Sequence, residues 1–139
     1  QMLGTMGGMQ QLSEMYDAEQ SPEVRLQIVR ALFVGGAAPK LIAIANGEKD
    51  PKVRLQAIQQ LGVMPNASTG SALQTLYAAD QSVEVRKAVL RGLFIQGSAK
   101  QLVEIARKET NPELRKTVVQ HLSVMRSKEA TDYLMELLK

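Results

Sequence analysis

The sequence has no cysteine and no tryptophan, a single histidine, and only 4% aromatic residues. Without cysteine there is no disulfide, no thiol nucleophile and no cysteine-based zinc site. The compartment stays open, because an exported chain and a cytosolic one can both do without cysteine. Scarce aromatics argue against a stacking platform for single-stranded nucleic acid and against an aromatic cage. No apolar run approaches the roughly 18 residues of a membrane span, and no stretch has the form of a signal peptide. Charge of one sign is also missing. The 17 Lys and Arg residues are interspersed with 14 Asp and Glu, for a net charge of +3, which is a weak footprint for nucleic acid.

What is present suits helices. Of 139 residues, 45% are apolar and 22% charged, which is ordinary for a folded protein and fits one compact domain or a short array of repeats. The start at Gln1 predicts a piece of a longer protein, from which any original leader would be missing.

Four copies of one device organise the chain: Ser21-Pro22-Glu23-Val24-Arg25, Asp50-Pro51-Lys52-Val53-Arg54, Ser82-Val83-Glu84-Val85-Arg86 and Asn111-Pro112-Glu113-Leu114-Arg115. Ser, Asp and Asn are the best helix N-caps, since a short side-chain oxygen accepts from an orphan backbone N–H. Proline suits the first helical position, where its missing N–H costs nothing. Glu23, Glu84 and Glu113 place negative charge at the positive end of the helix dipole. Regular recurrence at this spacing is the mark of a repeat protein.

Between the caps, each unit reads as a helical hairpin. Residues 21–49 predict a first helix from Pro22 to about Val34, with Val24, Ile28, Val29, Leu32 and Phe33 apolar. Gly35-Gly36 ends it, and a second helix follows from about Ala37 to Asn46. Residues 50–81 repeat the plan through Val53, Ala57, Ile58 and Leu61, with a longer loop at Pro65-Asn66-Ala67-Ser68, then Leu73, Leu76 and Tyr77. Residues 82–110 return to the short-loop form and 111–139 to the long-loop form. Residues 1–20 predict a partial unit, with Leu12, Met15 and Tyr16 on one face. The pattern Leu12, Met15, Tyr16 returns at an offset of 61 as Leu73, Leu76, Tyr77. The true period is therefore a pair of hairpins.

A capped Pro start, then Val-Arg, then Leu seven positions after the Arg resembles HEAT repeats, closest to the short bacterial kind that also resembles the repeats of phycobilin lyases. The matching residues are Val24-Arg25 with Leu32, Val53-Arg54 with Leu61, Val85-Arg86 with Leu93, and Leu114-Arg115 with Leu122. The resemblance implies an all-α solenoid, a right-handed superhelix of antiparallel hairpins. It implies first helices on the convex side, second helices lining the concave side, and a protein-binding scaffold. A minority of such arrays bind nucleic acid, and the lyase relatives handle a tetrapyrrole, for which no residue here speaks.

Arg25, Arg54, Arg86 and Arg115 form a ladder in such a stack. Each can satisfy the previous hairpin's carbonyls and meet acids such as Asp50 or Asp80; the alternative is an anion-binding stripe. A residue required by every repeat reads as part of the repeat. The expected binding face is the exposed side of the second helices: Lys40, Ala43, Gln74, Thr75, Gln101, Glu104, Tyr133 and Glu136. It is mixed in character and not basic, which suits a protein or peptide, bound there or along the long-loop edge. The excess cations Arg30, Lys52, Lys87, Arg91 and Lys116 lie on first helices and carry the alternative of a nucleic-acid module. His121 replaces Gln60 and reads as a surface residue. No catalytic set, metal site or cofactor site emerges, so a non-enzymatic scaffold is expected. Met2, Met6, Met9 and Met15, together with Tyr133, Leu134, Leu137 and Leu138, predict apolar surface at both ends and end-to-end self-association.

Overall fold

The computed structural model describes residues 6–64, 67–79 and 82–139. Among these residues there are nine helices and no strand. In chain order they are α1 (Met6–Ala18), α2 (Pro22–Val34), α3 (Ala38–Gly47), α4 (Pro51–Gly62) and α5 (Ala67–Ala79). Then come α6 (Val83–Ile95), α7 (Ala99–Lys108), α8 (Pro112–Ser123) and α9 (Lys128–Leu137). The first helices of successive hairpins are α2, α4, α6 and α8. α2, α4 and α6 each pack on the next first helix, and all four pack on their own second helix. The protein is an all-α solenoid of helical hairpins.

The helix starts form as their residues dictate. Asp50 Oδ1 accepts from the backbone N–H of Lys52 at 2.9 Å and of Val53 at 3.2 Å. Asn111 Oδ1 does the same for Glu113 and Leu114, and Ser21 and Ser82 cap Val24 and Val85. The short turns close on Gly36 and Gly97, whose φ angles of 74° and 72° suit glycine. In the long turn, Ala67 and Ser68 belong to α5 and not to the loop, because the helix begins earlier than expected. Pro65, Asn66, Asp80 and Met2 lie outside the described residues, as does the Met6 side chain.

The core is a spine of equivalent residues. Leu32, Leu61, Leu93 and Leu122 hold the same place in four hairpins, and each is fully buried. Val53, Val85 and Leu114 are buried too, but Val24 is 41% exposed. Among the described residues no first helix precedes α2 to cover it. Met15 likewise lies outside the core, at 47% exposure, while Leu12 and Tyr16 are buried. Thr69 is the one buried polar residue among those described. Gln96 Nε2 donates to its Oγ1 at 2.6 Å and to the Leu61 carbonyl at 3.0 Å, tying α6 back to the preceding hairpin.

Two junctions between first helices are filled differently. At α4–α6 two glycines meet: a Cβ built on Gly62 would lie 2.7 Å from the Gly92 Cα, and one on Gly92 would lie 2.9 Å from the Gly62 Cα. At α6–α8 the equivalent positions carry Phe94 and His121, whose rings stack with centroids 4.6 Å apart. His121 is therefore half-buried in a junction and not a surface residue, because the position it shares with Gln60 faces the preceding first helix. Burial, and then the Arg91 charge, push its pKa below the ordinary imidazole value.

Leu61→Ala is expected to cost about 2–5 kcal/mol. Gly92→Ala is expected to cost about 1–3 kcal/mol through overpacking against the α4 backbone. Gly47→Ala, where an added methyl meets open space, leaves stability nearly unchanged; denaturant melts of the three variants check this. His121 adds a pH dependence. Its contribution is complete above the unfolded value, about 6.5, and is lost below it, where the unfolded chain takes up a proton that the stack resists. Thermal stability should fall between about pH 7.5 and about pH 5.5, and His121→Gln should flatten that fall. An unaltered slope in the variant contradicts the assignment.

Candidate functional site

On the second-helix side, two hollows repeat at an offset of 61 residues, the offset of Tyr16 to Tyr77, Arg25 to Arg86 and Glu48 to Glu109. In the first, Tyr16 comes from α1, Arg25 from the first turn of α2 and Glu48 from the cap that follows α3. Glu48 is nearly fully buried; its Oε1 accepts from the Tyr16 hydroxyl and from Arg25 Nη1 at 3.0 Å. Its Oε2 accepts from the Asp50 backbone N–H at 2.9 Å. The Arg25 guanidinium lies over the Tyr16 ring at 4.6 Å, and its Nε donates to the Glu19 carbonyl at 2.7 Å. One carboxylate thus ties three successive elements together, and it does so fully hydrogen-bonded, as burial of a charge demands.

The second hollow repeats this floor. Arg86 lies over Tyr77 at 4.7 Å and meets Glu109 Oε1 at 3.2 Å, Tyr77 donates to the same carboxylate, and Asn111 N–H donates to Oε2 at 2.9 Å. Burial raises the Glu109 pKa, but the Tyr77 hydroxyl, the Asn111 backbone and the Arg86 charge outweigh it and hold the group below the usual carboxylate range. Burial and then the bond to Glu109 push the Tyr77 hydroxyl far above its ordinary value, so it stays a donor.

The rims differ while the floors match. The first hollow, about 420 Å³, is edged by Asp17, Lys40, Ala43 and Lys49, with Lys40 paired to Asp17 at 2.7 Å. The second, about 390 Å³, is edged by Gln74, Glu104, Lys108 and Thr110, with Gln74 Nε2 donating to Glu104 at 3.0 Å. Of the residues expected on the binding face, Lys40 and Ala43 meet at one hollow, and Gln74 and Glu104 at the other. Thr75 is exposed on α5 outside both, and Gln101 is half-buried beside Gly70. Glu136 grips Arg107 through two bonds of 2.7 and 2.8 Å. Tyr133 is buried, at 3% exposure, with Arg107 over its ring; it is core and not binding surface, because the expected exposed row turns inward at α9.

Among the ladder arginines, the acid that meets Arg25 is Glu48 and not Asp50, whose carboxylate caps α4. Arg54 Nε donates to the Ala45 carbonyl at 2.8 Å, and Arg115 is exposed. Sequence reasoning missed Glu48 and Glu109. The signal was there: each follows its tyrosine by 32 residues, and the pair repeats at the long period. Glu109→Gln should lower the melting temperature at neutral pH. It should also flatten the loss between about pH 5 and about pH 3, where a carboxylate with a depressed folded pKa gives up its contribution. Parallel acid-unfolding curves for the two proteins would contradict the linkage.

The comparisons agree with this geometry. Residues 38–102 match the family model for HEAT repeats, a stretch that runs from the start of α3 into α7. No curated protein sequence matches the chain. The hairpins on either side of the matched stretch carry the same capped start and the same buried leucine. The match supports the HEAT-repeat family for residues 38–102, and in fold and motif the flanking hairpins are similar to that stretch.

Proposed function

We propose that this array is a non-enzymatic scaffold that binds a protein or peptide across its second-helix face, with contacts centred on the two hollows. HEAT repeats in general serve as scaffolds for protein interactions. The observation that carries the reading here is the constant floor beneath a variable rim. Tyr, Arg and Glu are the same in both hollows, while Ala43, Gly47 and Lys49 at one give way to Glu104, Lys108 and Thr110 at the other. Residues that differ between equivalent repeats are free of the demands of stacking, and they are where specificity can reside. The rim is also mixed in charge, which suits polar peptide groups better than a run of phosphates. No helix among the described residues is long and apolar enough to cross a membrane.

A photo-crosslinking residue placed at Ala43 or at Glu104 should capture the same partner, and one placed at Gln27 on a first helix should not. Lys49→Glu with Glu104→Lys should abolish that capture while leaving melting within about 0.5 kcal/mol of the parent, since both residues are exposed. Capture that survives this charge reversal would overturn the reading.

A further inference from the structure

A second surface repeats along the opposite helices. Val34, Val63, Ile95 and Val124 hold one register position in four hairpins, ten residues after Val24, Val53, Val85 and Leu114 respectively. All four are exposed, at 81%, 47%, 48% and 66%. Each closes its first helix, as the last residue of α2 and α6 or the cap of α4 and α8. A β-branched side chain gains nothing there from helix propensity. Scattered apolar residues on a surface are ordinary, but a row of four in one register is a patch.

Charge defines what can cover it. One helical turn before each stripe residue stands Arg30, Gln59, Arg91 or Gln120, all exposed and on the same face at i, i+4 spacing. The surrounding stretches 26–36, 55–64, 87–97 and 116–126 contain no Asp or Glu and hold Arg30, Lys87, Arg91, Lys116 and Arg126. The acids of the first helices, Glu23, Glu84 and Glu113, lie in their first turns, where Glu113 pairs with Lys87. The edge is thus an apolar row beside a row of donors and cations.

We propose that this edge docks an acidic peptide segment in extended form, with an apolar side chain seated on each stripe residue. Stacked helices repeat about every 8–10 Å, and one three-residue turn of extended polyproline II chain covers about 9 Å and returns to the same face. Such a segment running along the stack therefore presents every third side chain to successive repeats. Its carboxylates and carbonyls face Arg30, Gln59, Arg91 and Gln120. A nucleic acid would use the cations and leave the apolar row uncovered. A second copy of this edge would bring like charge against like.

The test is fluorescence anisotropy on the full chain with labelled peptides of about twelve residues, glutamate carrying leucine at every third position. The control has the same composition with the leucines grouped at one end. The regular peptide should bind and the grouped one should bind more weakly. Val34→Ser and Ile95→Ser should each weaken binding about tenfold, the value of one buried β-branched side chain. Arg30→Glu and Arg91→Glu should weaken it and lower its salt dependence. Glu104→Lys on the second-helix face should leave it unchanged, which separates this edge from the hollows. Circular dichroism and melting should be unaltered in the stripe variants. No binding of the regular peptide, equal binding of the grouped one, or indifference to the stripe substitutions overturns the proposal. So does single-stranded DNA binding that depends on Arg30 and Arg91 alone, or dimerisation in sedimentation that the stripe variants abolish.

Discussion

Each hairpin of this protein must bury its apolar stripe against the next, and the width of that junction is set by two residues. Where Gly62 meets Gly92 the backbones of α4 and α6 touch; where Phe94 meets His121 a pair of stacked rings holds α6 and α8 apart. The leucine spine of Leu32, Leu61, Leu93 and Leu122 is continuous through both kinds of junction. Stability in such an array is a sum of hairpin and neighbour terms. A difference in how two junctions are filled is therefore a difference in how strongly those neighbours are coupled.

The polar joints follow a two-hairpin period. Glu48 and Glu109 each collect a tyrosine, an arginine and a backbone N–H of the next helix start. An ionised group can be buried this way because every strong acceptor site has a donor. The joint also fixes the distance between successive second helices, and so it fixes the hollows whose rims vary. Structure and binding surface share one frame: the floor belongs to the stack, and the rim is free to differ.

Much of this was legible in the sequence. The caps at Ser21, Asp50, Ser82 and Asn111 announced the helix starts, since capping is local chemistry. The leucines were found by spacing, and the period of 61 was visible in Leu12 and Leu73. What periodicity alone could not supply was the environment of a residue between helices. His121 and Tyr133 looked exposed on their own helices, yet each is covered by a neighbour. Val24 looked buried on its own helix, yet is 41% exposed. Glu48 and Glu109 escaped notice because attention to apolar repeats passes over a charged residue in a loop. The stripe of Val34, Val63, Ile95 and Val124 escaped because exposure at a helix end is not visible in periodicity.

The account rests on neighbour-to-neighbour burial with its tightest junction between α4 and α6. Native-state hydrogen exchange measures that directly, residue by residue. The amides of α4 and α6 near Leu61 and Leu93 should be the slowest to exchange, with protection declining through α8 to α9. Uniform protection along the array, or faster exchange in α4 and α6 than in α8, would contradict it.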